Sequence, residues 1–330
     1  MSSLIPVDRS IDLLRSHQSI WQEVGTAKRI DYLKRCMQGV MDVAESWAIA
    51  ACEAKGIDPT DAGEEWLTGA VTTLMNLRAL IKSLEGRSPK ISNGVAQVFP
   101  DNLLDRLLWL GFRGEVWLDP NPEMRSDRGV ALVLGAGNVG STPPMDLLYQ
   151  LFVENQVVLL KMNPVNEYVG TFLEQAFEPL ISDGFLQIVY GDADLGRYLC
   201  HHPNVDSIHI TGSDRTHDAI VWGNPKRDRP ILQKPITSEL GCVTPVLIVP
   251  GDWSESELRF QARHVASMVT HNASFNCVAA KLLVTAKGWK LRDRFLDLIR
   301  QEFAKTPARK AYYPGAQQRY QGFLDRYPQA

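Results

Sequence analysis

Residues 135–140 read Gly135-Ala136-Gly137-Asn138-Val139-Gly140, which has GxGxxG spacing. Glycines so spaced let backbone N–H groups approach a phosphate at the start of a following helix. The same residues would serve a tight strand-to-helix turn. Pro143 and Pro144 suit a first helical turn, where a missing N–H costs nothing. In the usual dinucleotide fingerprint an acidic residue ends the next strand; here that strand ends at Lys161, in LLKMNP. A cation there can hydrogen-bond ribose hydroxyls or meet a 2′-phosphate. A later strand ends in Thr211-Gly212-Ser213. Its orphan N–H donors and hydroxyl suit a pyrophosphate, and an N-cap serine satisfying its own helix is the commoner explanation.

Two further residues could do covalent and acid–base work. Cys277 follows Asn272-Ala273-Ser274-Phe275-Asn276 and opens an apolar run. Most free cysteines are inert buried hydrophobes. A thiol at an element boundary, in a chain with nucleotide-binding turns, could instead be a nucleophile. Glu239 lies in an otherwise apolar Ser238-Glu239-Leu240-Gly241 stretch. That setting predicts burial of the kind a general base needs, with a surface-facing edge residue as the plain alternative. His201, His202, His209, His217, His264 and His271 show no HExxH or other metal spacing, so no metal is assigned.

The elements that must position these residues follow from periodicity. Residues 1 to about 98 read as helices. One carries the stripe Leu33, Met37, Met41, Ala44 and Trp47; another starts at Asp61, with Asp61 and Glu64 in capping-box spacing, and stops at Gly86. Neither offers reactive groups, so both are read as scaffold. Residues 115–119 suit a strand. Strands over 129–135, 155–161, 185–191 and 205–211 then alternate with helices over 143–154, near 167–182, around 194–201 and from 213 to 221. That alternation predicts right-handed βαβ units and a parallel sheet, whose ligands sit at the carboxyl ends of the strands. Residues 224–236 read as a connection. Strands at 244–249 and 277–285 follow, with helices starting near Ser254 and Trp289, and the last stretch shows no obvious closing element.

The chain has 330 residues with 22% charged, 45% hydrophobic and a formal charge of −3. That length suits about two domains with real cores. The balanced charge gives no support to nucleic-acid binding, and composition excludes disordered and disulfide-scaffold classes. Five cysteines without a CxxC pair argue against a zinc ribbon or a secreted disulfide framework. The N-terminal residues meet charge too early for a signal peptide, and no run approaches a membrane span. These features point to a cytoplasmic protein in a reducing compartment.

Taken in order, these motifs resemble the aldehyde dehydrogenase superfamily, from about residue 20 onward and most specifically over 129–285. The resemblance makes Asn138 the asparagine that binds the substrate carbonyl oxygen. It makes Lys161 the contact to the adenosine ribose, Gly212-Ser213 the pyrophosphate turn, Glu239 the general base and Cys277 the nucleophile. Gly135 and Asn163 fall among the cofactor-binding residues. Four positions depart from the family pattern. Ser274 and Phe275 replace Gly and Gln, Cys242 replaces the second glycine of the glutamate motif, and Pro164 replaces a Glu, which leaves NAD and NADP both open. LVLGAGNVGS is also similar to fatty acyl-CoA reductases.

The resemblance implies N-terminal helices over 1–98 packing on a Rossmann-like α/β NAD(P)-binding domain over 99–243. Residues 244–330 would be the first part of a catalytic domain whose later segments are missing. It implies NAD(P)-dependent oxidation of an aldehyde through a cysteine thiohemiacetal and thioester, in a protein that forms homo-oligomers at full length. Three alternatives stand: an acyl-CoA reductase running the same chemistry in reverse, a hydroxy-acid or alcohol dehydrogenase with Cys277 in its core, and a nucleotide-binding chain without turnover.

Overall fold

The computed structural model describes residues 4–87, 91–100, 102–118 and 129–329. Two long helices come first, α1 (Ile5–Glu23) and α2 (Thr26–Lys55). Position α2 stops at Gly56, whose left-handed φ of 65° lets its N–H return to Cys52 and Glu53 carbonyls. A short helix α3 (Gly63–Trp66) and a π-turn over Leu67–Val71 lead into α4 (Thr72–Leu84). The expected Asp61/Glu64 capping box does not form. Asp58 caps a 3₁₀ turn at Pro59–Asp61 instead, by accepting from the Thr60 N–H. The buried stripe of α2 also runs wider than expected, from Tyr32 to Lys55, with Met41 outside it and exposed.

The helical reading of 1–98 fails at its end. Residues 91–92 (β1) and Val95–Phe99 (β2) form a hairpin, and β2 pairs antiparallel with β3 (Gly114–Trp117) across α5 (Leu103–Leu108). A positive φ at Asn93 and Gly94 makes the turn, a chemistry that helical periodicity does not register. The last two residues of the expected 115–119 strand fare differently: Leu118 lies beyond β3 and residue 119 lies outside the described residues.

The main sheet is five-stranded and parallel, in the order β6-β5-β4-β7-β8. Its strands are β4 (Val130–Leu134), β5 (Val157–Lys161), β6 (Leu186–Val189), β7 (Ser207–Gly212) and β8 (Ile236–Leu240). Between them lie α6 (Thr142–Phe152), α7 (Gly170–Ala176), α8 (Glu178–Ser182), α9 (Ala193–His201) and α10 (Asp214–Val221). The single helix expected near 167–182 is broken: a 3₁₀ turn at Pro164–Val169 precedes α7, and Pro179 restarts the chain as α8. Strand β8 begins at the last residue of the expected connection.

The strand order reverses at β4, so the crevice of a doubly wound sheet opens between the carboxyl ends of β4 and β7. Both β4 and β5 are buried on both faces, as a helix-covered parallel sheet requires. Helix α1 shares their core. The Trp21 indole N–H donates to the Leu151 carbonyl at 3.0 Å, and its ring meets Phe152 and Phe185.

A second, smaller core follows. Strands β9 (Thr244–Ile248) and β10 (Ala280–Thr285) pair in parallel. Helices α11 (Glu255–Thr270) and α12 (Arg292–Lys305) share a core with them through Leu258, Ala262, Phe295 and Leu298, joined by Trp289 just before α12. Helix α11 begins with a complete Ser254/Glu257 capping box. The expected strand at 277–285 starts three residues late, leaving Cys277 in a turn, and the final stretch closes as α13 (Ala316–Arg326).

Burial pushes the thiols of Cys36 and Cys200 up to about 12 and about 11. An unfolded thiol ionises first, so this contribution to stability is lost as pH rises from about 9 through those values. Denaturant unfolding at pH 8 and pH 10.5 tests this. The Cys36→Ala/Cys200→Ala protein should lose less stability over that interval than the native sequence, by a few kcal/mol at ~1.4 kcal/mol per pKa unit.

Candidate active site

The loop after β4 is shaped by what packs over its glycines. A side chain on Gly137 would come within 2.7 Å of Asn163 Oδ1 and 2.9 Å of the Tyr313 hydroxyl. One on Gly140 would come within 3.1 Å of the Trp47 indole nitrogen. Gly135 is looser, with Pro143 at 3.3 Å. The Ser141 N–H donates to the Thr68 carbonyl at 2.8 Å, and α6 begins only at Thr142. Close packing therefore accounts for the glycines at 137 and 140 without a phosphate.

The same loop carries Asn138 to the turn that holds Cys277. The Asn138 side-chain amide donates to the Phe275 carbonyl at 2.8 Å, two residues before Cys277. Behind Asn138, its carbonyl accepts from the Asn272 side-chain amide at 2.9 Å and from the Tyr312 hydroxyl at 3.2 Å. Tyr312 also donates to Asn272 Oδ1 at 2.9 Å. Lys55 Nζ reaches the same Oδ1 at 3.1 Å while paired with Glu65 at 2.8 Å. Lys55 and Glu65 are 4% and 3% exposed, and Asn272 is 1% exposed. Burial pushes the Tyr312 phenol upward, keeping it a donor.

The segment this network grips is strained. Asn272, Ala273 and Ser274 all have positive φ, at 52°, 48° and 67°. Left-handed backbone costs roughly 1–2 kcal/mol for a residue with a side chain, and least for Asn. Lys281 Nζ holds the far end by donating to the Ser274 carbonyl at 2.6 Å and to its hydroxyl at 2.8 Å. Cys277 itself is exposed, and its carbonyl accepts from Cys242 Sγ at 3.3 Å.

The remaining expected residues line the carboxyl ends of the sheet. Lys161 ends β5 and is 7% exposed, and among the described residues its ammonium makes no recorded hydrogen bond or ion pair. Burial lowers its pKa, with Glu167 and Asp192 pulling the other way. Asn163 caps the next turn by accepting from the Val165 N–H at 3.0 Å. Gly212 ends β7. Ser213 is the N-cap of α10, accepting from the Thr216 N–H at 3.1 Å, so the commoner explanation of that serine is the observed one.

Glu239 requires a correction. Its burial does not occur. Strand β8 is the sheet's last strand and pairs only with β7, so Glu239 is exposed. It stands in register with Thr211, and Thr237 with His209. That face is polar: Thr211 donates to Asp146 at 2.8 Å, and His209 lies 2.8 Å from the Thr237 hydroxyl.

Comparison with known proteins decides the family. A model of the aldehyde dehydrogenase family matches residues 124–317, more than half of the sequence. The chain belongs to the aldehyde dehydrogenase family. It is 24% identical over 180 residues to aldehyde dehydrogenase LUC3 of Fusarium sp, an alignment covering 53% of this chain and 37% of that protein. Aldehyde dehydrogenase C of Pseudomonas syringae, solved as a cysteine-to-alanine variant with NAD+ and octanal, superposes with a TM-score of 0.65 at 16% identity. The Bartonella henselae aldehyde dehydrogenase gives 0.66 at 15% identity. Each of these structures is matched over 91% of this chain and 54% or 56% of its own. This aldehyde dehydrogenase chain thus spans little more than half the length of those structures.

Sequence reasoning missed Lys55, Glu65, Asn272 and Tyr312, having assigned the N-terminal helices to scaffold. One signal was present. Lys55 continues the buried stripe Ala44, Ala48, Ala51, Cys52 at helical spacing, and a charge on such a stripe needs a buried partner. Tyr312 had no comparable signal, because its partners lie 40 and 174 residues away.

Removing one member of this pair should be costly. Lys55→Met should lower unfolding free energy by ~3–5 kcal/mol by stranding the Glu65 charge, and the Lys55→Met/Glu65→Leu double variant should recover most of that loss. Urea denaturation of the two proteins checks this.

Proposed function

We propose that this chain carries the cofactor-binding and nucleophile-bearing parts of an enzyme that oxidises an aldehyde to a carboxylic acid with NAD or NADP. The observation that supports the reading is the 2.8 Å bond from the Asn138 amide to the Phe275 carbonyl, two residues before Cys277. Residues 99–243 are assigned to cofactor binding, 1–98 to helices packed on them and 244–330 to the thiol-bearing part. A shared core across α1, α2 and the main sheet supports the first two assignments.

The residues fit a nicotinamide dinucleotide. The carboxyl ends of the sheet around the β4/β7 switch point carry Lys161, at the end of β5, and the N-terminus of α10, a cation and orphan N–H donors suited to ribose and phosphate oxygens. Gly135 and Asn163 follow β4 and β5, Gly212 ends β7 and Ser213 caps α10, so all four lie at the carboxyl ends of the same sheet. When bound, the cofactor supplies a hydride acceptor.

Cys277 attacks the aldehyde carbonyl, forming a thiohemiacetal. The Asn138 amide and the Cys277 backbone N–H stabilise its oxyanion, the charge that develops only as the reaction proceeds. Once oxidised, the intermediate is a thioester on Cys277. Glu239 takes a proton from water, and the resulting hydroxide releases the acid. A thiol suits both halves because it attacks readily and leaves readily. The exposed α5 residues Leu103, Leu104, Leu107 and Leu108 support assembly of the protein with copies of itself.

Reduced-cofactor formation with a panel of aldehydes tests the reaction. Cys277→Ala should abolish it, and Asn138→Ala should lower kcat/KM by ~10²–10³. Glu239→Gln should give one turnover and then stall as the thioester, seen by intact mass. Full steady-state oxidation by Glu239→Gln would contradict the assigned base. Cofactor consumption with acyl-CoA, without aldehyde oxidation, would contradict the direction.

A further inference from the structure

Of the five thiols, Cys36, Cys52 and Cys200 are buried and at most 1% exposed, whereas Cys242 and Cys277 are exposed. These two lie together. Strands β9 and β10 pair in parallel with Thr244 opposite Ala280, so Cys242 and Cys277 precede neighbouring strands by two and three residues. The Cys242 thiol donates to the Cys277 carbonyl at 3.3 Å. Standard backbone lengths then put the Cys242 sulfur within about 6 Å of the Cys277 Cα. The Cys277 sulfur hangs from that Cα on an exposed side chain, so its rotation, with a small shift of the two turns that precede the strands, brings the sulfurs to disulfide spacing.

We propose that Cys242 and Cys277 form a peroxide-responsive thiol pair that closes reversibly into an intramolecular disulfide. This goes beyond the oxidation of aldehydes and does not depend on it. A thiolate of the pair attacks a peroxide oxygen; the O–O bond breaks, the sulfur becomes a sulfenic acid, and the other oxygen leaves as water or an alcohol. The second thiol then attacks that sulfur, the S–O bond breaks, and water departs as the S–S bond forms. Two thiols are oxidised by two electrons and one peroxide is reduced. A dithiol reverses the step.

The pairing would protect as well as switch. A lone exposed cysteine oxidised to the sulfenic stage can continue to the sulfinic acid, which dithiols do not reverse. A neighbouring thiol intercepts it first. Cys242 stands where the family pattern has a glycine.

The test uses the full chain, a small excess of hydrogen peroxide, alkylation by iodoacetamide after denaturation, and peptide mass mapping. The native sequence should lose two of its five alkylatable thiols, yield the Cys242 and Cys277 peptides joined and lighter by two hydrogen atoms, and regain both thiols with dithiothreitol. Cys242→Ser and Cys242→Gly should instead add oxygen to Cys277, and that thiol should not return fully with dithiothreitol. The proposal is overturned if native Cys277 gains oxygen while Cys242 stays alkylatable. It is overturned equally if the link joins two chains on a non-reducing gel, if neither thiol reacts, or if the Cys242 variants recover as completely as the native sequence.

Discussion

The arrangement depends on one buried contact: the Asn272 side chain, held by Lys55 and Tyr312 on its oxygen and holding the Asn138 carbonyl with its nitrogen. An ion pair as enclosed as Lys55–Glu65 is a poor source of stability, because desolvating two charges offsets their attraction. Its effect here is geometric. The ammonium has donors to spare after meeting Glu65, and one of them fixes the oxygen of a residue in left-handed backbone. Three consecutive positive-φ residues would otherwise relax, and the turn bearing Cys277 would move away from Asn138. The helix that seems furthest from the Cys277 turn thus helps to hold that turn against the loop after β4.

The sheet and the first helices complete that frame from the other side. Trp47 fits against Gly69 and Gly140 at once, with Cβ positions 3.5 and 3.1 Å from its indole. The π-turn at Leu67–Val71 is where the helix yields to admit it. That contact joins α2, which ends at Lys55, to the loop that carries Asn138.

Much of this was legible in the sequence, for identifiable reasons. The strands β4 and β5 are covered on both faces and read as continuous apolar runs, and Ser254 announces α11 through its capping box. Elements failed where local pattern was outvoted. The β1–β2 hairpin turns on Asn93 and Gly94 inside a stretch read as helical, Pro179 divides an expected helix, and Cys277 lies in a turn because β10 starts at Ala280. Glu239 looked buried by its neighbours, yet edge position is a property of strand order, which no short window contains. Of the expected residues, Asn138 meets the Phe275 carbonyl two positions before Cys277, Lys161 ends β5 and Ser213 caps α10. The network behind Asn138 was largely invisible because it joins residues 40 to 217 positions apart.

The central claim is that the Asn272 amide aligns Asn138 with the thiol turn. Acylation of Cys277 by p-nitrophenyl acetate, followed as a burst of nitrophenolate without any cofactor, measures that alignment directly. Asn272→Asp keeps the left-handed backbone and the acceptor for Lys55 and Tyr312, but it removes the donors to Asn138 and Asn276. The expected result is a folded protein, unchanged in far-ultraviolet circular dichroism, whose burst rate falls at least tenfold. A folded Asn272→Asp protein that acylates as fast as the native sequence would contradict the claim.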